Sequence, residues 1–81
     1  MKRLYRVYYN TYSDEKHREV VRELEARYGA KIVDHPSRIL PEFRFVEVYL
    51  DRPGAKDEIL NIVRRITGSR HVKVDWIDTS K

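Results

Sequence analysis

Residues 42–51, EFRFVEVYLD, constrain the fold more than any other stretch. Alternation of period two divides them between the two sides of one strand. Arg44, Val46, Val48 and Leu50 share one side, and Phe43, Phe45, Glu47 and Tyr49 share the other. A mostly aliphatic side suits burial under helices, and an aromatic and acidic side suits a face turned away from them. The pattern predicts a central strand in a sheet that is covered on one face.

The flanking sequence supplies the covering layer. Ser13 is a good N-cap, and Asp14 and Glu15 complement the positive end of a helix dipole. Val20, Val21, Leu24 and Tyr28, with His17 one turn earlier, follow helical spacing, and Gly29 is a left-handed stop. A second helix is predicted over 55–67. Pro53, Asp57 and Glu58 mark its start, Ala55, Ile59, Ile62, Val63 and Ile66 form its stripe with Leu60 beside it, and Gly68 ends it. Further strands are predicted over 4–12, 30–35 and 71–78. Tyr5, Val7 and Tyr9 take the core side of the first, and Val72, Val74 and Trp76 that of the last. The middle one is short and runs into Pro36, which suits an edge. The connection 37–41 carries Ile39 and Leu40, one of which is expected to cover an end of the core.

The order is β-α-β-β-α-β. With right-handed crossovers it gives a four-stranded antiparallel sheet of order 4-1-3-2 with two helices on one face. This is the ferredoxin-like α/β plait, an α+β fold, and the reading takes all 81 residues as one domain.

Composition narrows the chemistry. There are no cysteines, which excludes disulfides, thiolate catalysis and cysteine-type zinc sites. No apolar run approaches the ~20 residues of a membrane span, and the opening MKRLYRVYYN lacks the apolar segment of a signal peptide. The expected setting is cytoplasmic for a natural chain, and recombinant cytoplasmic expression for a designed one. Lys and Arg total 17 against 13 Asp and Glu, a net charge of +4. That excess meets one electrostatic criterion for nucleic-acid binding, and a designed or thermophile-like surface gives the same balance.

The uncovered sheet face carries the candidate site. Arg6, Tyr8 and Asn10 come from the first strand, Phe43, Phe45, Glu47 and Tyr49 from the third, Lys31, Val33 and His35 from the second, and His71, Lys73 and Asp75 from the fourth. Tyr8, Phe43 and Phe45 could stack bases, with Arg6, Lys31 and Lys73 against phosphate. Arg44 is a further cation, although alternation turns it inward. Aromatics on a central strand also pair with one another across strands, and a homodimer could cover the same face. The three histidines, His17, His35 and His71, form no convergent metal set, and each reads as a helix-border or surface residue. Ser13 has no base near it and reads as a cap. No catalytic, cofactor or metal residue is assigned.

Pro41-Glu42-Phe43-Arg44-Phe45-Val46-Glu47-Val48 partly resembles the third-strand signature of RNA recognition motifs, which runs basic-Gly-aromatic-small-aromatic-Val-x-aromatic. Phe43 and Phe45 match its two stacking rings, Val46 matches a core position, and Tyr8 resembles the ring on the first strand. The resemblance implies single-stranded RNA binding through these rings. Pro41 and Glu42 stand at the basic and glycine positions, Arg44 replaces a small residue, and Val48 the last aromatic. Residues 9–16 resemble the end of the first strand in small CRISPR-associated nuclease subunits of this fold. That family places a metal-binding aspartate there, and this chain has Asn10. Acyl-phosphate hydrolysis needs a glycine-rich anion loop after the first strand, and residues 10–14 contain no glycine.

Every local signal agrees with the fold, and no residue breaks a local rule for the sake of chemistry. In this the chain resembles a designed or redesigned ferredoxin-like protein, although the irregular connection 34–41 departs from an idealised backbone. The first reading is a stable, non-enzymatic scaffold with no evolved activity, no cofactor, no membrane association and no required partner. The alternative is a single-stranded nucleic-acid module using Tyr8, Phe43, Phe45, Arg6, Lys31 and Lys73.

Overall fold

The structure, a computed structural model, describes residues 3–78. Met1 and Lys2, on which the signal-peptide reading partly rests, lie outside them. The elements are β1 (Arg3–Asn10), α1 (Asp14–Tyr28), β2 (Lys31–Asp34), β3 (Phe43–Tyr49), α2 (Lys56–Thr67) and β4 (Lys73–Asp78). The sheet order is β2-β3-β1-β4, which is the expected order read from the other edge. All three pairings are antiparallel. The chain is a ferredoxin-like plait.

The covered face follows the alternation. Tyr5, Val7 and Tyr9 of β1, Val46 and Val48 of β3 and Val74 of β4 are buried against Val20 and Leu24 of α1 and Ile59, Ile62 and Val63 of α2. Burying a large aliphatic side chain contributes about 1.5–3 kcal/mol, so this layer drives folding. Trp76 is half-buried and packs on Tyr5 with ring centroids 4.5 Å apart.

The two helices start differently. Ser13 Oγ accepts the Lys16 N–H at 3.1 Å, as its cap position predicts. Ala55, at the start of α2, has no capping side chain. Tyr5 serves instead: its hydroxyl accepts the Ala55 N–H at 3.1 Å and donates to the Arg52 carbonyl at 2.6 Å. A residue read as core filling therefore also fastens α2 to the sheet. Both helices end on left-handed glycines, Gly29 with φ 59° and Gly68 with φ 70°, a conformation that costs glycine nothing.

The strands are shorter than alternation predicts. β1 stops at Asn10, where the chain turns toward the Ser13 cap, although Thr11 N–H still donates to the Glu42 carbonyl at 2.8 Å. β3 spans Phe43–Tyr49, and β4 begins only at Lys73. Neither Ile39 nor Leu40 covers the core; they are 87% and 52% exposed. Their loop closes on itself, with the Leu40 carbonyl accepting the Phe43 N–H and the Leu40 N–H donating to Ser37 Oγ. Those bonds satisfy the turn locally and leave both side chains outside.

Candidate functional site

Strand register turns the open face into rows of side chains. Tyr8 lies opposite Phe45 on one side and Lys73 on the other. Beyond Phe45, the His35 N–H donates to the Phe45 carbonyl at 2.9 Å. Tyr8 and Phe45 stack with centroids 4.8 Å apart and planes 7° from parallel, and Phe45 and His35 stack at 4.8 Å and 21°. Parallel rings this close cannot lie side by side in one plane without overlapping, so they meet face to face. The centroid spacing matches the separation of neighbouring strands, about 4.8 Å. Each ring thus stands upright on its own strand, and Phe45 has both faces covered.

The next row is charged. Arg6 lies opposite Glu47 and Asp75, and Val33 lies on the far side of Glu47. The Glu47 carboxylate accepts from Arg6 Nε at 3.3 Å and pairs with His35 Nε2 at 2.7 Å. Its side chain is only 12% exposed, so Arg6 and His35 meet in a shielded acid. In the row after that, Leu4 is buried opposite its cross-strand neighbour Ile77.

The sequence-assigned residues therefore separate. Tyr8, Phe45 and Lys73 share one row. Phe43 sits one step along, opposite Asn10 and partly exposed. Arg6 is held by Glu47. Lys31 pairs with Tyr49 at the β2 edge, away from the rings. Arg44 lies on the covered face opposite Tyr9, where Nε donates to the Thr11 carbonyl at 3.1 Å and Nη2 to Asp14 at 2.9 Å. That hydrogen bond holds the Asp14 carboxyl below its ordinary range. Lys73 reaches Asp75 only at 3.7 Å and keeps its side chain largely exposed.

A cleft of about 570 Å³ opens where β1 ends beside the approach to β4. Tyr8, Asn10, Phe43, Arg70, His71 and Lys73 line it. Arg70 was not legible as a site residue, because it falls in the connection after α2 and only the fold brings it to Tyr8.

The most specific polar cluster lies on the other face. Tyr9 Oη is 2.6 Å from His17 Nδ1, and His17 Nε2 is 2.9 Å from Asp34 Oδ2. An ionised carboxylate only accepts, so it takes the Nε2 proton, and in neutral His17 the Nδ1 accepts from the tyrosine. His17 is buried, in contrast to the helix-border or surface position expected for it. Burial pushes the Tyr9 hydroxyl well above the usual tyrosine value, Asp34 adds to this, and Arg44 opposes it. A tyrosine that holds its proton so firmly is a poor nucleophile or base. The cluster fastens edge strand β2 to α1 and β1. Among the described residues no group of three or more metal-ligating side chains converges, and no helix is long and apolar enough to cross a membrane.

No protein-family model matches the chain, and no curated protein matches it. Among solved structures it is similar to "De novo designed protein Ferredog-Diesel". The identity is 17%, the match covers 93% of this chain and 84% of that chain, and the TM-score is 0.46. The fold described here stands on its own register and packing.

Proposed function

We propose that this chain is a stable, non-enzymatic ferredoxin-like scaffold of designed rather than evolved origin. The observation that carries the reading is the centre of the open face, where side chains satisfy one another. Phe45 is enclosed by Tyr8 and His35, and Arg6 and His35 share Glu47. A platform for bases needs free ring faces and free cations. Agreement between levels supports the same reading. Both helices are closed by glycine, positive φ among the described residues is confined to glycines, and every buried side-chain nitrogen and oxygen among them has a partner.

Titration of labelled single-stranded RNA pools at low and moderate salt tests it. The scaffold reading predicts that Phe45→Ala leaves any residual binding unchanged. Salt-sensitive binding that weakens on Phe45→Ala would sink it.

A further inference from the structure

The row of rings on the open face ends abruptly. It runs His35, Phe45, Tyr8, with one ring per strand from β2 through β3 to β1. On β4 the next position is Lys73. Phe45 covers one face of Tyr8, and the other face turns toward β4. No ring covers that face among the described residues; its cross-strand neighbour is the largely exposed Lys73 side chain.

Tyr8 lines the 570 Å³ cleft, a volume within the range of small-molecule sites, about 300–1,000 Å³. Its charge is one-sided. Arg70, His71 and Lys73 line it, and among the described residues no carboxylate does. The side chains of Arg70 and His71 have no hydrogen-bond or ion-pair partner among the described residues, unlike Arg6 and His35 in the centre of the face. Lys73 is tied only by its long, exposed contact with Asp75, a kind of pair that contributes little. Three cationic or protonatable groups thus surround the end of an aromatic stack, with Asn10 adding an amide and Phe43 a second ring at the mouth.

We propose that this cleft binds a planar aromatic ring carrying a terminal phosphate, the chemistry of a nucleoside monophosphate. The ring stacks on the face of Tyr8 turned toward β4, and the exposed Lys73 side chain swings aside to admit it. The phosphate lies among Arg70, His71 and the Lys73 ammonium, where charge-assisted hydrogen bonds replace water. This goes beyond the scaffold reading and does not depend on it. That reading concerns Phe45 and the centre of the face, and this one concerns the vacant end beside β4.

Amide-resolved NMR titration of the whole chain with adenosine monophosphate tests the proposal, with adenosine and inorganic phosphate as single-part probes. The expected result is a saturable shift confined to the amides around Tyr8, Asn10, Phe43 and residues 70–73, with a Kd on the order of 1 mM. Each single-part probe should bind about tenfold more weakly, because ring and phosphate act together. Arg70→Ala combined with Lys73→Ala should weaken adenosine monophosphate about tenfold, whereas Lys31→Ala, the loss of one charge at the far edge, should change nothing. A terminally phosphorylated oligonucleotide and its hydroxyl-ended counterpart separate the sources. Tighter binding of the phosphorylated strand than of the mononucleotide assigns the site to strand ends, and equal binding assigns it to free nucleotides. Absence of a localised shift, an equal response to inorganic phosphate alone, or equal weakening by Lys31→Ala would each overturn the proposal.

Discussion

The same strands build two unlike faces. On the covered face the side chains are fixed by packing, and the few polar ones are joined in closed hydrogen-bonded sets: Tyr5 with the start of α2, and Tyr9 with His17 and Asp34. On the open face the order comes from register alone. Rings stand beside rings and acids beside bases, because neighbouring strands place them one strand-width apart. The lesson is that burial specifies the first face and lateral pairing the second. A change on the covered face should unfold the protein, and a change on the open face should rearrange a row.

The largest effect belongs to the covered face. Leu24 is fully buried between the layers, and Leu24→Ala should cost about 2–5 kcal/mol in urea denaturation through the cavity it leaves. An effect as small as a surface substitution would mean the layers do not pack as described.

The buried polar set comes next. Tyr9→Phe removes the donor to His17 Nδ1 and strands a buried acceptor, at a cost of about 1–3 kcal/mol. Hydrogen exchange should show β2 loosening more than β4, since the same chain of bonds holds Asp34. Equal loosening of both edges would break the assignment of this cluster to β2.

The pH response follows from the raised tyrosines. Burial, then the hydrogen bond to Glu58, pushes Tyr28 up to about 12 from the ordinary 10.0. The folded state then keeps the proton that the unfolded chain releases. The stabilisation is complete below about pH 10 and is lost as pH rises through about 12. Tyr9 shifts in the same direction for the same first reason, burial. Alkaline denaturation followed by tyrosinate absorbance should therefore show Tyr28→Phe flattening the fall in stability over that window. At the acid end Asp14 and Glu58 have lowered values, from the hydrogen bonds of Arg44 and Tyr28 respectively. Their contributions are present above the ordinary carboxylate range and fade as pH falls through the lowered values.

The smallest effect belongs to the loop between β2 and β3. Ile39 and Leu40 lie outside the core, so Ile39→Ser should change stability by no more than about 0.5 kcal/mol. A cost of the size seen for Leu24→Ala would return Ile39 to the core.

The fold was legible because its signals are local. Helix stripes, the Ser13 cap, the glycine stops and strand alternation each occupy a few neighbouring residues, and the strand order follows from their sequence. The polar roles were not legible, because their partners are distant. Tyr5 meets Arg52 47 residues away, and His17 meets Asp34 17 residues away. Ile39 and Leu40 misled because apolar character in a loop suggests burial, whereas a self-satisfied turn can hold such side chains outside. For the candidate site, alternation placed Tyr8, Phe43, Phe45, Arg6, Lys31 and Lys73 on one face. Only the folded structure shows that Phe45 is enclosed by Tyr8 and His35, that Glu47 occupies Arg6, and that Arg70 arrives beside Tyr8.

The central claim is that the rings of the open face serve one another. A double-mutant cycle on Tyr8→Ala and Phe45→Ala in urea denaturation measures this directly. The account predicts a favourable coupling of about 0.5–1.5 kcal/mol beyond the sum of the single effects, the range for stacked aromatic pairs. Strictly additive losses would show that the two rings stand independently and would contradict it.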